Sequence, residues 1–161
     1  MSESWRKELK KLIAEKEKAD QSKNYKKIAL YCESIGRLLF ENGFIKESIE
    51  QFEEQAQIFM RQNKKLDLAK TYHIISDVYA DSGDLELSLK FALKYNNISR
   101  DEGSFAEIQR ATATLGRIYY LMACTLEKEH ERHDYLKKSL EFYNLSQSTV
   151  ETLCGTVPKN E

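Results

Sequence analysis

The residues of this chain that could do chemistry are three histidines, three cysteines and many carboxylates. His130 and His133 stand three positions apart, a spacing that places two side chains on one face of a helix. Glu127 or Asp134 could join them, and such a cluster could hold a metal ion. Because the segment is a charged connector without a fourth ligand at zinc-like spacing, we expect solvated histidines and no metal site.

The remaining candidates for catalysis are equally weak. Cys32, Cys124 and Cys154 fall at apolar or helix-ending positions, which predicts small core hydrophobes and not nucleophiles. Three cysteines without paired spacing indicate reduced thiols in a cytosolic or nuclear protein. No glycine-rich phosphate loop is present, and the adjacent Glu53 and Glu54 point to different sides of a helix. The sequence therefore predicts no enzyme and no cofactor.

The composition favours a single helical domain. Of the 161 residues, 41% are hydrophobic and 32% are charged, which is enough for a core of reasonable size. One proline and six glycines leave little room for the turns of a sheet. A formal net charge of -1 gives no positive field for nucleic acid. No apolar run follows the charged N-terminus, so we expect an intracellular protein that binds neither nucleic acid nor membrane directly.

A short pattern that recurs about every 40 residues organises the chain. A large aliphatic residue precedes a very small one, and a bulky apolar residue follows three positions later. The small residues are Gly36, Ser76 and Gly116. A residue without a large side chain lets a second helix cross at an axial distance of about 8–10 Å. The second helices offer small residues of their own, Ser48 and Ser88, so the period predicts stacked helical hairpins.

Turn and capping residues divide the chain into a capping helix and three hairpins. The predicted segments are 3–22 for the cap, 25–62 for the first repeat (helices 25–42 and 44–62), 65–101 for the second (65–82 and 84–101), 104–153 for the third (104–126 and 134–153) and 154–161 for a mobile tail. Gly43 and Gly83 are stop signals, because glycine can take the left-handed conformation that ends a helix. Asp84 is placed to cap the next helix, and Ser104 with Glu107 is typical of a capping box.

The third hairpin departs from the rhythm of the first two. A charged connector over 127–134 is predicted, and the small residue Ser139 arrives about 11 positions late. Nothing after residue 153 would cover this hairpin, so we interpret the chain as the N-terminal part of a longer protein.

The aliphatic–small pair, the glycine turn and the small residue in the second helix resemble the tetratricopeptide repeat, although that repeat is usually about 34 residues long. The longer period is similar to that of scaffold proteins with extended hairpins. More narrowly, residues 29–39, 42–51 and 107–117 resemble the N-terminal repeats of Tonsoku-like proteins. The third segment, with its following insertion and residues 138–141, is the most specific part of the resemblance.

The resemblance implies an all-α solenoid of tetratricopeptide-type hairpins that serves as a nuclear protein-interaction scaffold. In that family the tetratricopeptide region takes part in reading a replication-coupled histone tail. The family supports homologous recombination at stalled forks, which implies recombination-repair proteins as further partners. An alternative with the same fold is a cytoplasmic peptide-binding adaptor of the polarity, spindle or motor-linked type. A hydrolase or metal protein built on helices is disfavoured by the missing chemistry.

The first helices of the hairpins are expected to line a concave peptide-binding groove. Residues on the face opposite the partner helix are predicted to point into it. They are Glu33, Arg37 and Phe40 in the first repeat, His73, Asp77 and Asp81 in the second, and Arg110, Ala113, Arg117 and Tyr120 in the third. Arg37, Asp77 and Arg117 hold equivalent places and alternate in sign, so we expect a bound peptide of mixed charge.

Overall fold

The computed structural model describes the backbone of residues 2–155 and the side chains of residues 4–152. Throughout that range the chain is helical apart from short turns. The helices are α1 (Ser2–Gln21), α2 (Tyr25–Glu41), α3 (Ile45–Arg61), α4 (Lys65–Asp81), α5 (Leu85–Asp101), α6 (Phe105–Thr125) and α7 (Glu129–Gly155). The all-α prediction is confirmed. Residues 156–161 of the predicted mobile tail lie outside the described residues.

The chain divides into two compact units, Met1–Val78 and Tyr79–Glu161, and the division falls inside α4. In the first unit α1 packs against α2 and α2 against α3, and in the second α5 packs against α6 and α6 against α7. Packing of consecutive helices within each unit is the arrangement of an α-solenoid of helical hairpins. The organisation of the whole chain as one repeat domain stays a prediction.

The close helix contact predicted at Gly36 is confirmed in the first unit. A Cβ atom at Gly36 would lie 2.8 Å from two atoms of the Phe52 ring on α3. The Ser48 hydroxyl of the same helix donates a hydrogen bond of 2.8 Å to the Gly36 carbonyl oxygen. Gly36 therefore allows α3 to lie against the backbone of α2, and Ser48 satisfies a polar atom at the contact.

The second unit repeats this contact at Gly116. A Cβ atom there would lie 3.1 Å from three atoms of the Tyr143 ring on α7. The Ser139 hydroxyl donates a hydrogen bond of 2.8 Å to the Gly116 carbonyl oxygen, so the late small residue is the one that makes the contact. The third small residue of the pattern, Ser76, is fully buried.

The turns follow the local signals in most places. Gly43 and Gly83 have φ angles of +83° and +88°, so the two predicted stop signals are confirmed. The Asp84 side chain accepts a hydrogen bond of 3.1 Å from the Leu87 backbone N–H, which confirms the predicted helix cap. Lys23 and Asn63 are also left-handed, at φ 51° and 53°, and end α1 and α3 without a glycine.

The predicted capping box at Ser104 is wrong. The Ser104 side chain makes no capping hydrogen bond, and its backbone N–H donates to the Ser99 carbonyl oxygen at 3.1 Å. Glu107 is buried and accepts hydrogen bonds from the Tyr95 hydroxyl at 2.5 Å and from Arg110 Nη1 at 3.0 Å. The capping box does not form because the buried carboxylate of Glu107 is better satisfied by two side-chain donors than by one exposed backbone N–H.

The predicted charged connector over 127–134 is also wrong, because α7 begins at Glu129 and only residues 126–128 join it to α6. Glu, Lys and Arg are good helix formers, and Glu129 and Glu131 lie in the first turn, where acidic side chains favour the helix dipole. The Arg132 guanidinium donates to the Leu126 carbonyl oxygen at 2.8 and 3.2 Å, which fixes the short connection to the new helix.

Candidate peptide-binding site

Three of the predicted groove residues line one cleft in the first unit. Glu33 and Arg37 from α2 and His73 from α4 border a cavity of about 270 Å³. The cleft also has lining residues that the sequence analysis did not select, namely Gln55, Phe59, Asp67, Lys70, Thr71 and Ile74. Phe40 is half-buried and does not line it. The structure thus brings α2, α3 and α4 together around a small polar depression.

Glu33 is the centre of the hydrogen bonds in this cleft. Arg37 donates to Glu33 Oε1 through Nη2 at 2.8 Å and through Nε at 3.0 Å. Gln55 Nε2 donates to Glu33 Oε2 at 3.3 Å and to the Ala29 carbonyl oxygen at 3.1 Å. The Thr71 hydroxyl donates to Gln55 Oε1 at 3.3 Å. The buried amide of Gln55 therefore links the three helices and holds Glu33 in place.

Gln55 was missed because it belongs to the second helix of its hairpin, which we expected to face away from the groove. A signal was present. Phe52, Ala56 and Phe59 mark the apolar stripe of α3, and Gln55 lies on that same stripe. A polar residue at a core position needs hydrogen-bond partners, so it points to a polar network between helices.

The lining of the cleft carries charges of both signs, from Glu33, Asp67, Arg37 and Lys70. His73 Nε2 lies 3.4 Å from Asp77 Oδ2, and both side chains are partly exposed. Arg37 and Glu33 form an exposed pair one helical turn apart. Pairs of this kind contribute about 0.3–0.5 kcal/mol, so a ligand that offers a carboxylate to Arg37 can replace the internal partner at low cost.

The predicted site residues of the second unit form a looser group. Arg117 Nη1 lies 3.8 Å from Asp81 Oδ1, and both side chains are substantially exposed. Arg110 is held by Glu107. Tyr120 is half exposed, and its hydrogen bond with Cys124 is the main cause that raises the pKa of the phenol. Among the predicted site residues of the second unit, Asp81 and Arg117 are thus a pair in direct contact.

The predicted burial of the cysteines holds in one case. Cys32 is fully buried in the core of the first unit, and burial raises the pKa of its thiol to about 11, so it is a poor nucleophile at neutral pH. The prediction is wrong for Cys124, which is exposed. Cys124 belongs to the last turn of α6, beyond the part of the helix that packs as in the first hairpin. The side chain of Cys154 lies outside the described residues.

The histidine pair of the sequence analysis lies on the surface of α7. His130 Nδ1 is 3.9 Å from Asp134 Oδ2, and the two side chains are 90% and 59% exposed. Within residues 4–152, no group of three or more His, Cys, Asp or Glu side chains is arranged to hold a metal ion. Among the helices that the structure describes, none is long and apolar enough to cross a membrane.

The fold and the cleft together define a helical-repeat scaffold, in which paired helices present polar side chains around a small depression. No family model matches the chain. The chain is similar to the Tonsoku-like protein of Drosophila melanogaster, with 26% identity over 156 residues, or 96% of this chain and 11% of the relative. The Tonsoku-like protein of Bos taurus is 26% identical over 159 residues, or 98% of this chain and 11% of the relative.

A third Tonsoku-like protein, from Mus musculus, is 26% identical over 112 residues, or 70% of this chain and 8% of the relative. The resemblance to Tonsoku-like proteins that the sequence indicated is confirmed by these three matches. The chain spans about a tenth of the length of these relatives.

Proposed function

We propose that this chain is a non-enzymatic scaffold that binds an extended peptide of mixed charge in the cleft lined by Glu33, Arg37 and His73. The observation that carries the proposal is the network in which buried Gln55 holds Glu33 and Glu33 holds Arg37. Two charged groups of opposite sign thereby lie side by side at the edge of one depression. Because buried Gln55 anchors Glu33, this carboxylate loses little conformational freedom when a ligand binds, which favours affinity.

The chemistry of the cleft suits a backbone with alternating side-chain charges. The Arg37 guanidinium can form two parallel hydrogen bonds with a carboxylate of the peptide. Glu33 and Asp67 then accept hydrogen bonds from a lysine or arginine of the peptide, and Lys70 offers a second cation. Gln55 and Thr71 are buried, so they position the charged groups and do not themselves contact the ligand.

The peptide that we propose is a histone tail, and the location that we propose is the nucleus. Similarity to Tonsoku-like proteins supports this assignment over the cytoplasmic adaptor considered from the sequence. In the same proposal, the protein works with recombination-repair partners in homologous recombination at replication forks. The contribution of Phe40, Asp77, Asp81, Arg110, Arg117 and Tyr120 to peptide binding is a further part of the proposal.

Fluorescence anisotropy tests the proposal with a labelled peptide of alternating lysine and glutamate, and with labelled N-terminal tail peptides of histones H3 and H4. We expect Arg37→Glu to weaken binding of the lysine–glutamate peptide at least tenfold, because it removes the cation that pairs with the peptide's carboxylates and places a second carboxylate beside Glu33. The matched control is Lys46→Glu, an exposed charge reversal on α3 that does not line the cleft, and it should change affinity less than twofold. Arg117→Glu, measured separately, reports on the second unit.

The proposal fails if neither tail binds the wild-type chain. It also fails if Arg37→Glu binds as tightly as wild type, or if Lys46→Glu loses as much as Arg37→Glu, since the effect would then be one of total charge.

A further inference from the structure

A second and larger depression lies in the first unit between α1 and α3, with α2 as its floor. The cavity has a volume of about 560 Å³. Its accessible apolar surface comes from Leu9 and Ile13 on α1, whereas the α2 residues that line its floor, Ile28, Ile35 and Leu39, are buried. Ile13 is 41% exposed, although large aliphatic side chains on a helix that packs against a core are usually covered. We call this depression the α1–α3 groove.

Two contacts join the walls of the groove. The rings of Trp5 on α1 and Phe44, the residue before α3, lie with centroids 5.4 Å apart. Within the groove, Lys16 Nζ donates to Gln51 Oε1 at 2.8 Å and to Glu54 Oε2 at 2.5 Å. Trp5 and Lys16 are 11 residues apart, so about 16 Å of helix separates the two contacts. Leu9 and Ile13, which line the groove, lie between these two contacts along α1.

The rim of the groove is acidic. The lining carboxylates are Glu17, Asp20, Glu47, Glu50 and Glu54. The one cationic side chain among the lining residues is Lys16, and it is already bonded to Glu54. Burial is the largest single influence on the pKa of Lys16 and acts to lower it, but the interactions with Glu54 and Cys32 together outweigh burial. The pKa is therefore raised, so the pair with Glu54 stays ionic. Four carboxylates therefore surround the apolar floor without a cation of their own in the lining.

The α1–α3 groove is separate from the cleft of Glu33 and Arg37. Ile28, Ile35 and Leu39 follow the heptad-like spacing of one face of α2. Arg37 is two residues beyond Ile35, which at about 100° per residue turns it to the opposite face. A ligand in the groove would therefore approach the first unit from the other side of α2.

We propose that the α1–α3 groove binds a basic amphipathic segment of a partner protein. Aliphatic side chains of the segment lie on Leu9 and Ile13, and flanking lysines or arginines reach the carboxylates of Glu17, Glu47 and Glu50. An uncharged apolar segment would cover these carboxylates without pairing them, which costs desolvation energy. An acidic segment would be repelled by the rim. The inference goes beyond the proposed function, since it concerns a second surface and a different ligand.

Three labelled 14-residue probes test the chemistry by fluorescence anisotropy with the full 161-residue chain. The first probe repeats Leu and Lys with helical spacing, the second replaces every Lys by Glu, and the third replaces every Leu by Ser. We expect binding of the first probe at least tenfold tighter than of either other probe, because both the apolar floor and the acidic rim are needed.

Two variants place the binding in the groove. Glu47→Lys combined with Glu50→Lys should lower the affinity for the basic amphipathic probe at least tenfold. Ile13→Ser should lower this affinity about threefold or more. The matched control combines Glu41→Lys with Glu53→Lys, two exposed charge reversals in the same unit that do not line the groove. It should change affinity less than twofold. Arg37→Glu should leave this probe unaffected, which separates the outcome from that of the histone-tail experiment.

All variants alter exposed side chains, and circular dichroism melting verifies that each is folded before its affinity is compared. The inference is overturned if the basic amphipathic probe does not bind, or if the Leu-to-Ser probe binds equally well. Equal losses in the groove variant and in the control variant would also overturn it, because binding would then reflect total charge and not this surface.

Discussion

The hairpin of α2 and α3 and the hairpin of α6 and α7 pack through the same kind of glycine contact, but the contact is more deeply buried in the first hairpin. In both, a serine hydroxyl of the second helix donates at 2.8 Å to the carbonyl oxygen of a glycine in the first. The ring that covers the glycine differs. Phe52 is 1% exposed, whereas Tyr143 is 43% exposed. The same small-residue contact is therefore enclosed by a core in one hairpin and open to water in the other.

The two hairpins also differ in length, and the difference lies in the helices. Five positions separate Gly36 from the end of α2, and nine separate Gly116 from the end of α6. Ser48 comes three positions after the start of α3, and Ser139 comes ten after the start of α7. Three residues join the helices in each case. The insertion thus lengthens two antiparallel helices beyond the contact and leaves the contact itself unchanged.

Removal of the aromatic ring that covers the glycine should give the largest difference in stability loss between the two hairpins. We expect Phe52→Ala to lower the free energy of unfolding by about 3–5 kcal/mol, because it opens a cavity in a closed core. Tyr143→Ala should cost about 1 kcal/mol or less, because the exposed ring is only partly removed from water. Urea unfolding followed by circular dichroism measures both values. Equal losses would show that exposure does not distinguish the two contacts.

Addition of a methyl group at the glycines tests the same contrast from the opposite direction. Gly36→Ala places a Cβ atom 2.8 Å from a buried ring, and we expect a cost of about 1–3 kcal/mol. Gly116→Ala meets an exposed ring at 3.1 Å that can shift, and the better helix propensity of alanine, about 1 kcal/mol, offsets the contact. Its stability should stay within about 1 kcal/mol of wild type in the same urea assay. A larger cost at Gly116 would contradict this view of Tyr143.

The cysteines of the two hairpins give a chemical measure of the same difference. In a Cys154→Ser background, a thiol reagent at pH 8 should modify exposed Cys124 rapidly, and Cys32 only when the chain unfolds. The folded pKa of Cys32, about 11, lies above the ordinary value of 9.0, so its thiol favours folding below pH 9. This contribution is lost as the pH rises from 9 towards 11. Wild type should therefore lose more stability than Cys32→Ala over that range, and parallel curves would refute the assignment.

The hydroxyl groups should show the smallest difference between the hairpins. Ser48→Ala and Ser139→Ala each remove one buried hydrogen bond, and we expect a cost of about 1 kcal/mol in either case. Both serines are almost fully buried, so the two losses should agree within about 0.5 kcal/mol. Thermal melts of the two variants measured side by side test this. A clearly larger loss at Ser48 would mean that the exposure of Tyr143 also weakens the hydrogen bond beneath it.

The candidate site was only partly accessible to sequence reasoning. The spacing of Glu33 and Arg37 on α2 predicted a common face, and the structure places both on one cleft with His73. The roles of Gln55 and Thr71 were not predicted, because they depend on a hydrogen bond between α3 and α4. The α1–α3 groove could not be predicted for a similar reason. An apolar stripe on α1 indicates a face that packs against the core, and it does not show that a depression remains between α1 and α3.

The amino-acid sequence by itself determined the helices, the glycine turns, the cap at Asp84 and the positions where helices could touch. These features depend on backbone preferences and on spacing within a few residues. Tertiary structure decided which partner each versatile side chain would take. Glu107 bonds to Tyr95 and does not cap its own helix, Cys124 is exposed, and residues 129–134 are helical. Such choices depend on which atoms a distant segment brings within hydrogen-bonding or packing distance, and no local pattern contains that information.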